Sequence, residues 1–137
     1  MNTAKINQWM LSSLFFALGL LKVLYLMRAG NVAAEQFTRV LGLPLWLSYY
    51  SYAAVIVELS LAVGIWVRQV VPVVLLLGCG LVGFGVTLSI FSMYYKYTSD
   101  CGCGLLGENE LGLLIQKLII LAMLGYAWRT KDQLISQ

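Results

Sequence analysis

VVPVVLLLGCGLVGFGVTLSIFS, residues 70–92, is the stretch that decides the fold. It carries no charged side chain. Coiled into a helix at about 1.5 Å per residue, it crosses the roughly 30 Å of a bilayer's hydrocarbon. Working outward, three more apolar stretches have that reach, roughly 8–27, 48–67 and 110–128. The chain is 61% hydrophobic and 11% charged, where a soluble domain carries about 25% charged residues. A water-soluble fold of 137 residues cannot bury so much apolar surface. The expected fold is all-α: an integral membrane four-helix bundle, one membrane domain over 1–137. No small-residue cleavage site follows the first span, so it is read as a retained helix rather than a signal peptide.

Aromatic residues mark two faces. Trp9, Trp66 and Trp128 fall at one set of span ends; Trp46, Tyr49, Tyr50, Tyr94, Tyr95 and Tyr97 fall at the other. Two belts suit an even number of spans. Lys5, Arg68, Arg129 and Lys131 share the Trp9 face, against Arg28, Arg39 and Lys96 opposite. That small basic excess puts both termini in the cytoplasm and the 98–109 loop outside. The formal charge of +3 is scattered, and no basic patch interleaved with aromatics argues for nucleic acid. Histidine is absent, which excludes Ser-His-Asp and Cys-His mechanisms within this chain and removes the commonest metal ligand.

The first outer loop is expected to hold a short interfacial helix. Asn31 would cap it, Phe37, Val40 and Leu41 would share a face, and Gly42 and Pro44 would end it; an ordinary linker is the other reading. In the third span Gly78, Cys79, Gly80, Gly83 and Gly85 let helix backbones approach closely. Cys79 is read as one of these small packing residues.

The loop between the third and fourth spans contains Cys101-Gly102-Cys103-Gly104. Cysteines one residue apart can bring their Cα atoms within the ~4.4–6.8 Å that a disulfide needs. Gly102 relaxes the small ring, and Gly104 leaves the sulfurs open to a partner thiol. A strained, exposed disulfide is oxidising and labile. The start of the fourth span and Lys96 favour the thiolate; Asp100, Glu108 and Glu110 oppose it. Three readings stay open: a redox-active dithiol, a static disulfide pinning the loop, and a metal site completed by Asp100 or a second chain. The first is preferred, with no metal.

Charges also lie inside the spans. Glu58 sits mid-way along the second, with Ser51, Ala54 and Ala62 on its helical face. A glutamate there must be protonated, paired or hydrated. Lys22 in the first span and Lys117 in the fourth can snorkel outward or reach inward to Glu58 or the cysteine loop. With Gln116 they form a candidate polar site beneath the thiols, handling protons or binding a quinone head group. The structural alternative is an ion pair that fixes helix register.

On these residues the chain resembles the MauE branch of the DoxX-like membrane proteins. The resemblance rests on Lys22, Leu43-Pro44, Glu58-Leu59 with Gly64, and Cys101-Gly102-Cys103 ahead of the fourth span. Gln116-Lys117 stands where an Arg-Asn pair is common. Gly104 stands where the family motif has a phenylalanine, a departure that touches the loop's geometry. The resemblance implies a four-helix bundle in the bacterial inner membrane. It implies thiol–disulfide traffic with a periplasmic thioredoxin-like partner, serving disulfide-rich exported proteins; some relatives are quinone-linked.

The leading expectation is thus a membrane thiol–disulfide oxidoreductase, or its membrane arm, in which Cys101 and Cys103 exchange electrons. The alternative is a non-enzymatic assembly factor or subunit of a larger membrane complex, with a structural disulfide. A small transporter using Glu58 and Lys22 ranks last, since no internal repeat or broken helix supports it.

Overall fold

The computed structural model describes residues 3–95 and 110–136. Helix α1 runs Thr3–Ala29, α2 Val32–Val40, α3 Tyr50–Gly64, α4 Val71–Tyr95, α5 Glu110–Arg129 and α6 Lys131–Ile135. A 3₁₀ turn, Leu45–Tyr49, leads into α3. No strand occurs among the described residues. Among the described residues, four segments are long and apolar enough to cross a membrane: Thr3–Ala29, Leu45–Gly64, Val71–Phe91 and Leu111–Arg129. Leu76, Val63 and Ile56 on their outer faces are about two-thirds exposed, a surface that only lipid tails can cover without cost.

The helices form two pairs. α1 packs along α3, and α4 packs along α5; α3–α4 and α1–α5 contacts join the pairs into a ring. The apolar core lies toward the end carrying Trp9 and Trp66. Leu11, Ile65, Val71, Leu75 and Leu124 are fully buried there. Polar side chains fasten the same end. Asn7 donates to the Met123 carbonyl at 3.1 Å and Gln8 to the Ile65 carbonyl at 2.7 Å. Ser12 donates to the Ala62 carbonyl at 2.7 Å while accepting from the Trp66 indole at 3.0 Å. The Ala62 and Ile65 carbonyls lie at the C-terminal end of α3, where a helix leaves carbonyls without a partner of its own, and these bonds satisfy them. Trp9 and Trp66 meet edge-to-face, ring centroids 4.7 Å apart, as aromatic quadrupoles prefer.

Helix boundaries differ from the sequence expectation in three places. α1 starts at Thr3 rather than near 8, because Asn7 and Gln8 find partners inside the bundle. The second span is a 3₁₀ turn followed by a helix that stops at Gly64, not at 67. Beyond it the chain reverses through i→i+3 bonds, Trp66 to Val63, Val67 to Gly64 and Val70 to Val67. Gly64 permits that close reversal, since a Cβ there would lie 2.7 Å from Val74 Cγ2. α6 was not expected; it tucks Leu134 into the bundle.

The interfacial helix exists as α2, but Asn31 works differently from a side-chain cap. Its amide donates to the Ser48 carbonyl and hydroxyl at 3.0 and 3.1 Å, and its Oδ1 accepts from Ser51 at 2.5 Å. Two serines one turn apart in the following segment compete successfully for the amide, so Asn31 ties α2 to the start of α3. α2 ends as foreseen. Gly42 takes φ +66°, with Leu43 N–H bonded to Thr38 O and Gly42 N–H to Arg39 O, a Schellman cap. Ala34 and Thr38 face inward; Val40 and Leu41 face out.

Of the small residues in α4, Gly78 is a true close approach. A Cβ there would lie 3.2 Å from Leu124 and 3.6 Å from Phe15. Gly80 and Gly83 meet nothing within 4 Å and point away from the bundle, a correction to the expectation that all five pack inward. Cys79 is partly buried against the core, as a small packing residue is.

Candidate functional site

Away from the tryptophan end, the two helix pairs enclose a cavity of about 300 Å³. It runs from Phe15 and Ile120 in mid-bundle to Asn31 and Ala34 beneath α2. Its walls are mostly apolar, with a few polar groups converging on it, the usual composition of a ligand site.

One polar wall is the α1–α3 pair. Lys22 Nζ donates to Glu58 Oε1 at 2.5 Å. The close approach that allows this occurs at Gly19, one turn before Lys22, where a Cβ would lie 2.8 Å from Leu59 Cδ2 and 3.7 Å from Glu58 Cβ. The pair is asymmetrically buried, with side-chain exposures of 18% for Lys22 and 7% for Glu58. Glu58 Oε2 is buried and has no hydrogen-bond partner among the described residues. A buried carboxylate oxygen left unpaired carries a desolvation cost, and such groups mark functional sites in membrane proteins.

The facing wall is the α4–α5 pair. Lys117 Nζ donates to the Gly85 carbonyl at 3.0 Å and to Ser89 Oγ at 2.6 Å. Gly85 and Ser89 are four residues apart, so both lie on one face of α4. With no side chain at Gly85, the lysine stem lies against the helix; a Cβ there would be 3.5 Å from Lys117 Cε. Gln116 is buried and lines the same cavity.

All four sequence-nominated polar residues, Lys22, Glu58, Gln116 and Lys117, therefore meet at one cavity. Lys22 reaches Glu58, while Lys117 binds across to α4. Ser51 and Ala54 line the cavity and Ala62 is buried, in line with the face they share with Glu58. Sequence reasoning missed Gly19, Ser89 and the bracing role of Asn31. The spacings Gly19–Lys22 and Gly85–Ser89, one turn each, are the signals that were present. Cys101, Gly102, Cys103 and Gly104 lie outside the described residues.

A family model described as "Methylamine utilisation protein MauE" matches residues 2–129. The chain belongs to the MauE family. The match spans all four membrane-length segments and both polar walls, so this MauE-family bundle is a multi-pass membrane protein. Neither the curated proteins nor the solved structures contain a match to this MauE-family chain.

Proposed function

We propose that this MauE-family protein is a membrane thiol–disulfide redox protein, with Cys101 and Cys103 as its exchanging pair. The observation that carries the reading is the position of the polar cavity. It occupies the same half of the bundle as Tyr95 and Glu110, the helix ends that anchor the cysteine-bearing segment. Exchange begins when a thiolate attacks one sulfur of a disulfide; a mixed disulfide forms and the displaced sulfur leaves as thiolate. The second cysteine then attacks the mixed bond. Two electrons pass between the partners, and two protons must leave one dithiol and reach the other. Lys22, Glu58 and Lys117 supply ionisable groups for that proton traffic within the membrane.

In this reading the protein resides in a bacterial inner membrane, termini in the cytoplasm and cysteines on the periplasmic side. Its partner is a periplasmic thioredoxin-like protein, and the pathway serves disulfide maturation of exported proteins. The test is covalent trapping. Cys101→Ser and Cys103→Ser, expressed in membranes, leave one reactive thiol each. At least one should accumulate a mixed disulfide that a reductant dissolves; neither doing so overturns the proposal.

One observation favours a second reading, an assembly factor or subunit of a larger complex with a structural disulfide. Gly80 and Gly83 present a small-residue face of α4 that nothing covers within 4 Å, and small residues favour helix association in lipid. Intact function with both cysteines replaced by serine would select this reading.

A further inference from the structure

Lys117 and Ser89 each bring an unspent donor to the cavity. Lys117 Nζ has three N–H groups and spends two, on Gly85 O and Ser89 Oγ. Ser89 Oγ accepts from Lys117 at 2.6 Å, and its own hydroxyl proton has no acceptor among the described residues. Lys117 is half-buried and Ser89 keeps 7% exposure; both line the cavity. A buried donor without an acceptor carries a desolvation cost. The two donors stand side by side, so one group with two acceptor oxygens can reach both.

The charges around the cavity set the sign of that group. Three charged side chains line it, Lys22, Glu58 and Lys117. Lys22 and Glu58 neutralise each other as an ion pair. Lys117 is bonded to two neutral oxygens and has no carboxylate partner among the described residues. One positive charge is left over. An ammonium without a counter-charge is costly inside a membrane, and a monoanion offsets it where a dianion would overshoot.

The walls set the rest of the ligand. Leu18, Leu81, Leu88 and Ile120 supply aliphatic surface. A volume of about 300 Å³ is at the small limit for ligand sites. Ala53 of α3 and Phe84 of α4 line the cavity and are also exposed on the bundle's surface. The cavity therefore reaches the lipid-facing surface between these helices, and a chain too long for it can leave there.

We propose that the cavity binds a monocarboxylate of the fatty-acid class. One carboxylate oxygen accepts from Lys117 Nζ and the other from Ser89 Oγ. The acyl chain lies on the aliphatic wall and leaves between Ala53 and Phe84. Two sources share this chemistry, a free fatty acid from the bilayer and a short monocarboxylate from water. The site uses neither the cysteines nor a contact to Glu58, so it stands or falls apart from the thiol reading.

The test uses the full chain in phosphatidylcholine nanodiscs, with empty nanodiscs subtracted, and two radiolabelled probes, dodecanoate and butyrate. Saturable binding of dodecanoate identifies the bilayer source; saturable binding of butyrate alone identifies the water-borne source. The uncharged primary amide of the bound probe should compete at least tenfold more weakly than the acid. Lys117→Gln removes the charge and should weaken binding at least tenfold. Ser89→Ala leaves Lys117 its bond to Gly85 and should weaken binding at least threefold; it carries the test if Lys117→Gln does not fold. The proposal is overturned if neither probe saturates, if the amide competes as well as the acid, or if either folded variant binds as the wild type does.

Discussion

Lys22→Met should destabilise the bundle far more than Glu58→Gln, although each removes one half of the same ion pair. At 2.5 Å and an effective dielectric near 20, the gross attraction is about 6–7 kcal/mol. Desolvation of both charges offsets much of it, and removing one partner of a buried pair costs about 3–5 kcal/mol. Glu58 has nowhere to go: its side chain is 7% exposed and one oxygen already lacks a partner. Lys22 is 18% exposed, and its flexible stem can carry the ammonium toward water. Lys22→Met therefore falls near 4 kcal/mol, the middle of that range. Glu58→Gln falls near 2 kcal/mol, inside the roughly 1.5–3 kcal/mol of a lost hydrogen bond to a charged group. The double variant removes the stranded charge, so it should recover about 3 kcal/mol relative to Lys22→Met alone. Equilibrium unfolding in bicelles, by denaturing-detergent titration of all four proteins, measures the cycle. Lys22→Met within about 1 kcal/mol of wild type, or a double variant no more stable than Lys22→Met, would refute the reasoning.

Two further predictions follow from geometry elsewhere. Gly78→Leu should cost about 1–3 kcal/mol by forcing Leu124 and Phe15 aside, whereas Gly80→Leu and Gly83→Leu should stay within about 0.5 kcal/mol; thermal unfolding in detergent separates the two classes, and equal losses would contradict the assignment of faces. Asn31→Ala strips partners from Ser48 and Ser51 and should cost about 1–3 kcal/mol. Hydrogen exchange should quicken in α2 and the 3₁₀ turn while α4 and α5 keep their protection; a change spread evenly over the bundle would argue against a local brace.

Much of this fold was legible because membrane helices announce themselves by length and composition. The 70–92 run maps onto α4 almost residue for residue. What hydropathy misread were polar residues with specific partners. Asn7 and Gln8 look like a boundary, yet they extend α1 by binding carbonyls of α5 and of the turn after α3. Trp66 looks like the end of a span, yet it sits in the reversal, held by Ser12. The site was legible where charge in an apolar run is conspicuous, at Lys22, Glu58 and Lys117. It was opaque where the partner is ordinary. Nothing in isolation distinguishes Ser89 from any other helix serine, or Gly19 from a glycine that meets nothing. Which glycines of α4 face inward depends on the rotation of the helix, and four glycines spread over several faces leave that rotation undetermined.

The central claim concerns Cys101 and Cys103, and their redox state in intact membranes tests it most directly. Alkylation mass shifts would be followed across buffers of graded thiol–disulfide potential. An exchanging pair should titrate reversibly, two electrons at a time, near the potentials of oxidising dithiol proteins, roughly −120 to −200 mV. A pair that stays oxidised well below about −300 mV would be a structural staple and would contradict the account.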